Sequence, residues 1–241
     1  MKPNILILDY SVDRFEMPII KGFLKRHFDY EVTALHITTE VSFPDDLIEK
    51  DFTHVVHTGS TLSINEPAPF TKKAVSYIQD LVEKSTWQFG ICYGHQLLGF
   101  ALVGTHAVRE TPKGLEVGWG EVEFNEFGQQ VLNLNPVERI WQHHFDEVTE
   151  LPVGSEIIAT NAHSHIQAYI NYEKRLLGTQ FHPEINLRQG NNYFLHDRKL
   201  LEDNGFDVDV MVKQTPSFNT PKVFFEFFFE ALSIRETSDF T

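Results

Sequence analysis

Four short runs of β-forming residues, 4–9, 31–37, 53–57 and 87–91, are separated by stretches whose apolar residues recur at helical spacing. Strands joined through helices lie parallel, because a parallel pair needs a long crossover, and the crossover helices cover the sheet. The helical stretches are 15–27, with Phe15, Ile19, Ile20, Phe23 and Leu24 in register, a short segment at 44–50, and 69–84, where Phe70, Ala74, Val75, Ile78, Leu81 and Val82 share one side. The alternation predicts an α/β fold with a mostly parallel sheet flanked by helices on both faces.

From residue 108 to about 177 the texture changes. Shorter β-like runs at 116–124, 157–160 and 167–170, separated by Gly, Pro and Asn, predict a small antiparallel β excursion. Residues 193–202 and 221–232 read as helices, and the run Val223-Phe224-Phe225-Glu226-Phe227-Phe228-Phe229 requires most of the second to be buried. A length of 241 residues suits one substantial core. Residues 1–241 are therefore expected to form a single domain, with 186–241 a helical C-terminal extension of it.

Charge narrows the partners. Lys+Arg 20 against Asp+Glu 34 leaves a formal net charge of -14, which opposes binding to nucleic acid and to anionic lipid. The longest apolar runs, such as Ile5-Leu6-Ile7-Leu8, fall far short of the roughly 20 residues a bilayer requires. The N-terminus Met1-Lys2-Pro3-Asn4 shows no secretory h-region, and Cys92, the single cysteine, cannot form an internal disulfide. The expectation is a soluble, cytoplasmic protein with no nucleic-acid or membrane partner.

A lone cysteine is usually a small core residue. Here Phe89-Gly90-Ile91-Cys92-Tyr93-Gly94-His95-Gln96 puts it between a strand and a helix with glycines two residues to either side, the cysteine form of the G-x-S-x-G nucleophile elbow. A nucleophile on so sharp a turn projects outward, and the free N–H groups of the following helical turn favour a thiolate and can hold an oxyanion. A cysteine nucleophile needs a base, and the base needs an orienting acceptor. Gln180-Phe181-His182-Pro183-Glu184 supplies both, because in an extended segment His182 and Glu184 point the same way. His143-His144 and His163-Ser164-His165 lack a third convergent ligand, so neither a metal nor a cofactor is expected. His143, His163 and His165 read as loop polarity.

Gly-Ile-Cys-Tyr-Gly-His-Gln followed by Gln-Phe-His-Pro-Glu resembles the class I (triad) glutamine amidotransferase family, and the likeness runs over roughly residues 4–185. Val55 to Ile64 is similar to that family's strand and oxyanion loop, Glu116-Val117-Gly118-Trp119 to its Glu-Ile-Gly-Trp segment, and Trp141 to Asp146 to the Trp-x-x-His-x-Asp of its GMP-synthetase-like branch. The resemblance implies Cys92 as nucleophile, His182 as general base and acid, and Glu184 orienting His182. It implies an oxyanion hole from Tyr93 and the Gly59-Ser60 loop, and contacts to glutamine from Gln96 and from His144, Phe145 and Asp146. Ser60 and Thr61 depart from the usual Gly and Pro of that loop.

The implied reaction is hydrolysis of the glutamine side-chain amide through a γ-glutamyl thioester. No synthetase domain is recognisable in the 241 residues, so ammonia would go to a separate synthetase subunit. Two alternatives remain at this stage: a hydrolase of γ-glutamyl peptides or conjugates using the same triad, and a catalytically idle regulatory or binding module.

Overall fold

The computed structural model describes residues 2–38 and 43–232, so the last nine residues of the expected C-terminal extension lie outside the described residues. The expected alternation is present as β1 (Asn4–Asp9), α1 (Glu16–His27), β2 (Glu31–His36), β3 (His54–His57), α2 (Thr71–Glu83), β4 (Trp87–Ile91) and α3 (Tyr93–Leu102). The segment at 44–50 forms only a 3-10 turn, Leu47–Glu49, a run too short to sustain an α-helix. Then come β5 (Val108–Glu110), β6 (Glu116–Phe124), α4 (Glu126–Leu132), β7 (Val137–His144), β8 (Asp146–Val148), β9 (Glu156–Thr160), β10 (Ala168–Asn171) and β11 (Leu176–Thr179). The described chain closes with α5 (Leu187–His196), α6 (Arg198–Asp203), α7 (Val208–Met211) and α8 (Thr220–Glu226), which runs into a π-helical turn, Phe227–Ala231.

Nine strands form one sheet in the order β2-β1-β3-β4-β11-β10-β9-β6-β7. The first five are mutually parallel and the last four antiparallel. The antiparallel excursion is thus larger than the sequence suggests and extends the main sheet; β5 and β8 pair separately. The return of β11 to the parallel half matters most, because it pairs with β4 and sets Thr179 beside Ile91. Residues that follow β4 and β11 therefore emerge side by side at the carboxyl edge, where open α/β sheets place their ligand crevice.

Strand periodicity divides the core. Ile5 and Ile7 of β1 pack with α1 and the C-terminal phenylalanines on one face, while Leu6 and Leu8 pack with α2 and α3 on the other. Phe224, Phe225, Phe228 and Phe229 are fully buried, with the Phe225 ring 5.3 Å from Phe23 and the Phe228 ring 5.2 Å from Phe89. A third cluster joins Trp119 and Trp141 to Phe194 of α5, Leu201 of α6 and Met211 of α7. No helix among the described residues is long and apolar enough to cross a membrane.

Candidate active site

Cys92 connects β4 to α3 with φ 49° and ψ -104°, outside the regions a residue with a Cβ ordinarily adopts. Its N–H donates to the Thr179 carbonyl of β11 at 2.8 Å, and its carbonyl accepts from the Gln96 N–H at 3.0 Å. The flanking glycines are required by contact: a Cβ on Gly94 would lie 2.2 Å from the His57 carbonyl oxygen, and one on Gly90 2.6 Å from the Gly94 carbonyl. The elbow therefore has the geometry its spacing predicts.

His182 follows β11 and is anchored by its N–H to the Trp141 carbonyl at 3.0 Å. The His182-Pro183-Glu184 segment is a turn, closed by the Ile185 N–H on the His182 carbonyl at 3.3 Å, where the sequence suggests an extended chain. The turn still delivers the pairing, with His182 Nδ1 2.7 Å from Glu184 Oε1 and both side chains buried. Nε2, the nitrogen left for Cys92, has no partner at normal length and angle, and the Cys92 thiol points at the His143 carbonyl 3.6 Å away. Burial pushes the His182 imidazole down, but the Glu184 carboxylate and nearby Cys92 more than reverse this and hold it well above the ordinary histidine value.

Glu16, the first residue of α1, also reaches this point, though in the sequence it passes for an ordinary acid in a first helical turn. It accepts the Gly59 N–H at 2.5 Å, and its other oxygen lies 3.8 Å from His182 Nδ1. Gly59, expected to be an oxyanion donor, thus spends its N–H on Glu16. Ser60 and Tyr93 remain at the mouth, the N–H of Tyr93 standing in the first turn of α3, outside that helix's own ladder. Ser60 is not among the residues of positive φ, so its side chain brings no backbone strain to the loop.

Burial raises Glu16, His182 lowers it, Glu184 and Asp9 raise it and the Gly59 N–H lowers it, which together leave it at about 8. An unfolded glutamate ionises near 4.3. The folded carboxyl therefore holds its proton where the unfolded one has lost it, and stability falls as pH rises from the unfolded value to about 8, then levels off. Glu16→Gln should melt higher than the parent chain at pH 8–9, with the difference vanishing toward pH 4.5. Calorimetry at pH 5, 7 and 9 tests this, and a pH-independent difference would remove the buried-proton account. Glu16, His182 and Glu184 could place three ligand atoms within 4.8 Å of one another, but His182 Nδ1 already bonds Glu184 and Glu16 already accepts from Gly59.

A cavity of about 110 Å³ opens beside Cys92, lined by the Ser60–Ser63 loop, Gln96 and residues 143–146. Gln96 Nε2 donates to the Asp146 carbonyl at 3.0 Å and to Gln180 Oε1 at 3.3 Å. The Asp146 carboxylate accepts from Ser63 Oγ at 2.6 Å and Asn65 Nδ2 at 2.9 Å. His144 is held between the Asp146 carbonyl and the Glu116 carboxylate, at 3.0 and 2.7 Å, and Phe145 stands half exposed at the rim. His143, which the sequence leaves as loop polarity, faces the same cavity; burial, then His182 and His144, push it down to about 4. Of the expected residues, Cys92, Ser60, Gln96, His144, Phe145 and Asp146 line one cavity and His182 the adjoining one, while Glu184, Gly59 and Tyr93 stand behind these walls; the structure adds His143 and Glu16 to the lining and Glu116 behind His144.

A carboxyl-edge crevice with cysteine on a strained elbow and a buried histidine-carboxylate pair defines a cysteine-dependent amidohydrolase of the glutamine amidotransferase kind. The chain belongs to the glutamine amidotransferase class-I family, whose model matches residues 7–200. It is 31% identical over 158 residues to a glutamine-hydrolyzing GMP synthase subunit of Saccharolobus solfataricus, covering 64% of this chain and 80% of that protein. It is 32% identical over 142 residues to the glutamine-hydrolyzing GMP synthase of Clostridium novyi, 58% of this chain but only 26% of that longer protein. Its fold is similar to that of a Thermotoga maritima glutamine amidotransferase, with a TM-score of 0.79 at 19% identity, covering 96% of this chain and 98% of the other.

Proposed function

We propose that the protein is a glutaminase in which Cys92 attacks the side-chain amide carbon of glutamine. One observation carries the assignment: Cys92 sits on the elbow after β4, and the buried His182–Glu184 pair stands at the end of the adjacent strand β11. The γ-glutamyl group occupies the cavity beside Gln96 and Asp146, with His144 and Phe145 at its wall. As the C–S bond forms, the carbonyl oxygen becomes an oxyanion, held by the N–H groups of Tyr93 and Ser60, the Gly59 N–H being bonded to Glu16. His182 gives its proton to the departing nitrogen, the C–N bond breaks, and ammonia leaves. Water, deprotonated by His182, then hydrolyses the thioester to glutamate and restores Cys92.

The likeness to a synthase subunit supports delivery of the ammonia to a separate synthetase in trans. We take residues 1–241 as one domain working in the cytoplasm, a reading supported by the single free thiol. Ammonia release from glutamine, assayed with and without a synthetase fraction, tests the function. The residue roles are tested by variants. His182→Ala should lower kcat on the order of 10⁵-fold or more, whereas Glu184→Gln, which can still hydrogen-bond His182 but no longer pairs charge, should cost less, about 10⁴-fold. A glutamine-mimicking electrophile should add once, at Cys92, and more slowly in His182→Ala. Equal labelling of the two proteins would take His182 out of the mechanism.

A further inference from the structure

Cys92 and His182 line two unlike spaces that share a wall. On the Gln96 and Asp146 side is the 110 Å³ cavity. On the His182 side is a smaller one of about 30 Å³, walled by Glu16, Trp141 and Tyr193, and Ser60, Thr61 and His143 line both. The smaller space shares Asp13, Phe15 and Tyr193 with a third cavity of about 370 Å³, which continues outward to His196 and Asp197. The smaller space thus shares walls with both of the others.

Acyl transfer fixes what each side holds. The acyl group and the leaving group lie on opposite sides of the attacked carbon, and the leaving nitrogen takes its proton from His182, so it belongs on the His182 side. The 30 Å³ space suffices for a single nitrogen, since a water needs roughly 10–15 Å³. Ammonia has no use for the further 370 Å³.

The walls of that outer space have a definite chemistry. Phe15 and Tyr193 present aromatic rings 6.2 Å apart, Asp13 and Asp197 supply carboxylates, the second 3.0 Å from His196 Nδ1, and among the described residues neither leaving-side cavity is lined by a lysine or arginine. Arg198, next in the chain, is bonded to Glu202 and Asp209, each at 2.8 Å. Tyr193 lies close to both carboxylates, its phenol being pushed up first by burial and then by Asp197 and Asp13. Carboxylates beside aromatic faces attract an organic ammonium and repel a leaving group that carries its own carboxylate.

We propose that this cavity is a leaving-group subsite for amine cations, so that the enzyme also hydrolyses γ-glutamyl amides of diamines and polyamines. The inference rests on the Cys92 mechanism proposed above and adds a substrate class to it. Cys92 Sγ bonds to the γ-carbonyl carbon, the C–N bond breaks, and His182 protonates the departing amine nitrogen. Water then cleaves the thioester, giving glutamate and the free diamine. Amino-acid leaving groups, as in γ-glutamyl peptides, are selected against.

The test is steady-state turnover by the full chain of four compounds: glutamine, γ-glutamyl-1,4-diaminobutane, its uncharged counterpart γ-glutamylbutylamine, and γ-glutamylglycine. The diamine conjugate should exceed the butylamine one at least tenfold in kcat/KM, with γ-glutamylglycine slowest. In the double variant Asp13→Asn, Asp197→Asn the diamine-to-butylamine ratio should fall to about one. That ratio is internal to each protein, so a general loss of active enzyme cancels. A ratio near one in the parent chain, or a preference that survives the double variant, overturns the subsite. Hydrolysis of glutamine with refusal of all three conjugates overturns it while leaving the glutaminase intact, and failure on glutamine as well overturns both.

Discussion

Cys92→Ala should abolish glutamine hydrolysis, with kcat falling on the order of 10⁴-fold or more, because no other group in the crevice can form the thioester. The alanine keeps a Cβ at φ 49° and ψ -104°, so the strained elbow persists and the fold is unchanged. Cys92→Gly should be equally inactive but more stable than Cys92→Ala, by about 1 kcal/mol or more, since glycine relieves a backbone conformation that costs other residues roughly 1–3 kcal/mol. Ammonia release and thermal melting of the two variants give both numbers. Residual activity above a hundredth of the parent in Cys92→Ala would mean that the thiol is not the nucleophile. Equal melting of the alanine and glycine forms would show that the turn stores no strain.

That strain is legible in the chain itself, because a cysteine flanked by glycines between a strand and a helix fits little else. The four opening strands are legible for the same local reason, each being a short apolar run beside a helix of matching period. Where pairing is non-local the signal fails. In β7, Glu138 is buried and Val137 is half exposed, the reverse of the usual order, because Glu138 accepts from the Asn135 side chain and is also bonded by Ser217 Oγ. The hydrophobic alternation that would have marked the strand is therefore scrambled. The start of α5 is marked by a capping box, in which Asn186 accepts the Gln189 N–H and Gln189 accepts the Asn186 N–H, yet the apolar pattern draws attention only from Tyr193 onward. Nor does any local cue divide 187–203 at Asp197, where the backbone leaves the helical region at ψ 16°.

The buried His182–Glu184 pair, the proposed base and its orienting acceptor, is readable because the two residues are neighbours in sequence. Glu16 is not, because it is 166 residues from His182 and meets it only when β1 and β11 lie in one sheet. The leaving-side cavity is the same case, since its walls come from the loop after β1 and from α5. Local chemistry is written in the chain, whereas the surroundings that set a carboxyl near 8 or select one leaving group over another exist only after the sheet has assembled.

Gly94→Ala should be the most damaging single methyl in the molecule. Its Cβ would sit 2.2 Å from the His57 carbonyl oxygen, 2.7 Å from the His57 carbonyl carbon and 2.8 Å from its Cβ. Two of the three obstacles are backbone at the end of β3, so no rotamer change relieves them, and α3 must move away from the strand. Overpacking in a rigid interior costs typically 1–3 kcal/mol, and a clash against backbone belongs at or above the top of that range. A loss of about 3 kcal/mol lowers the melting temperature on the order of 10 °C in a chain of this size. Because Cys92 and the Tyr93 N–H ride on the first turn of α3, a displacement of about 1 Å there should also cost on the order of a hundredfold in kcat. Gly22→Ala is the matched control: nothing lies within 4 Å of the added methyl, and it sits inside α1, so it should gain about 0.5–1 kcal/mol and leave kcat alone. Melting and turnover measured on both variants decide the matter. A Gly94→Ala protein that melts and turns over like its parent would mean that α3 is not pressed against β3, and the packing that holds the elbow would need another explanation.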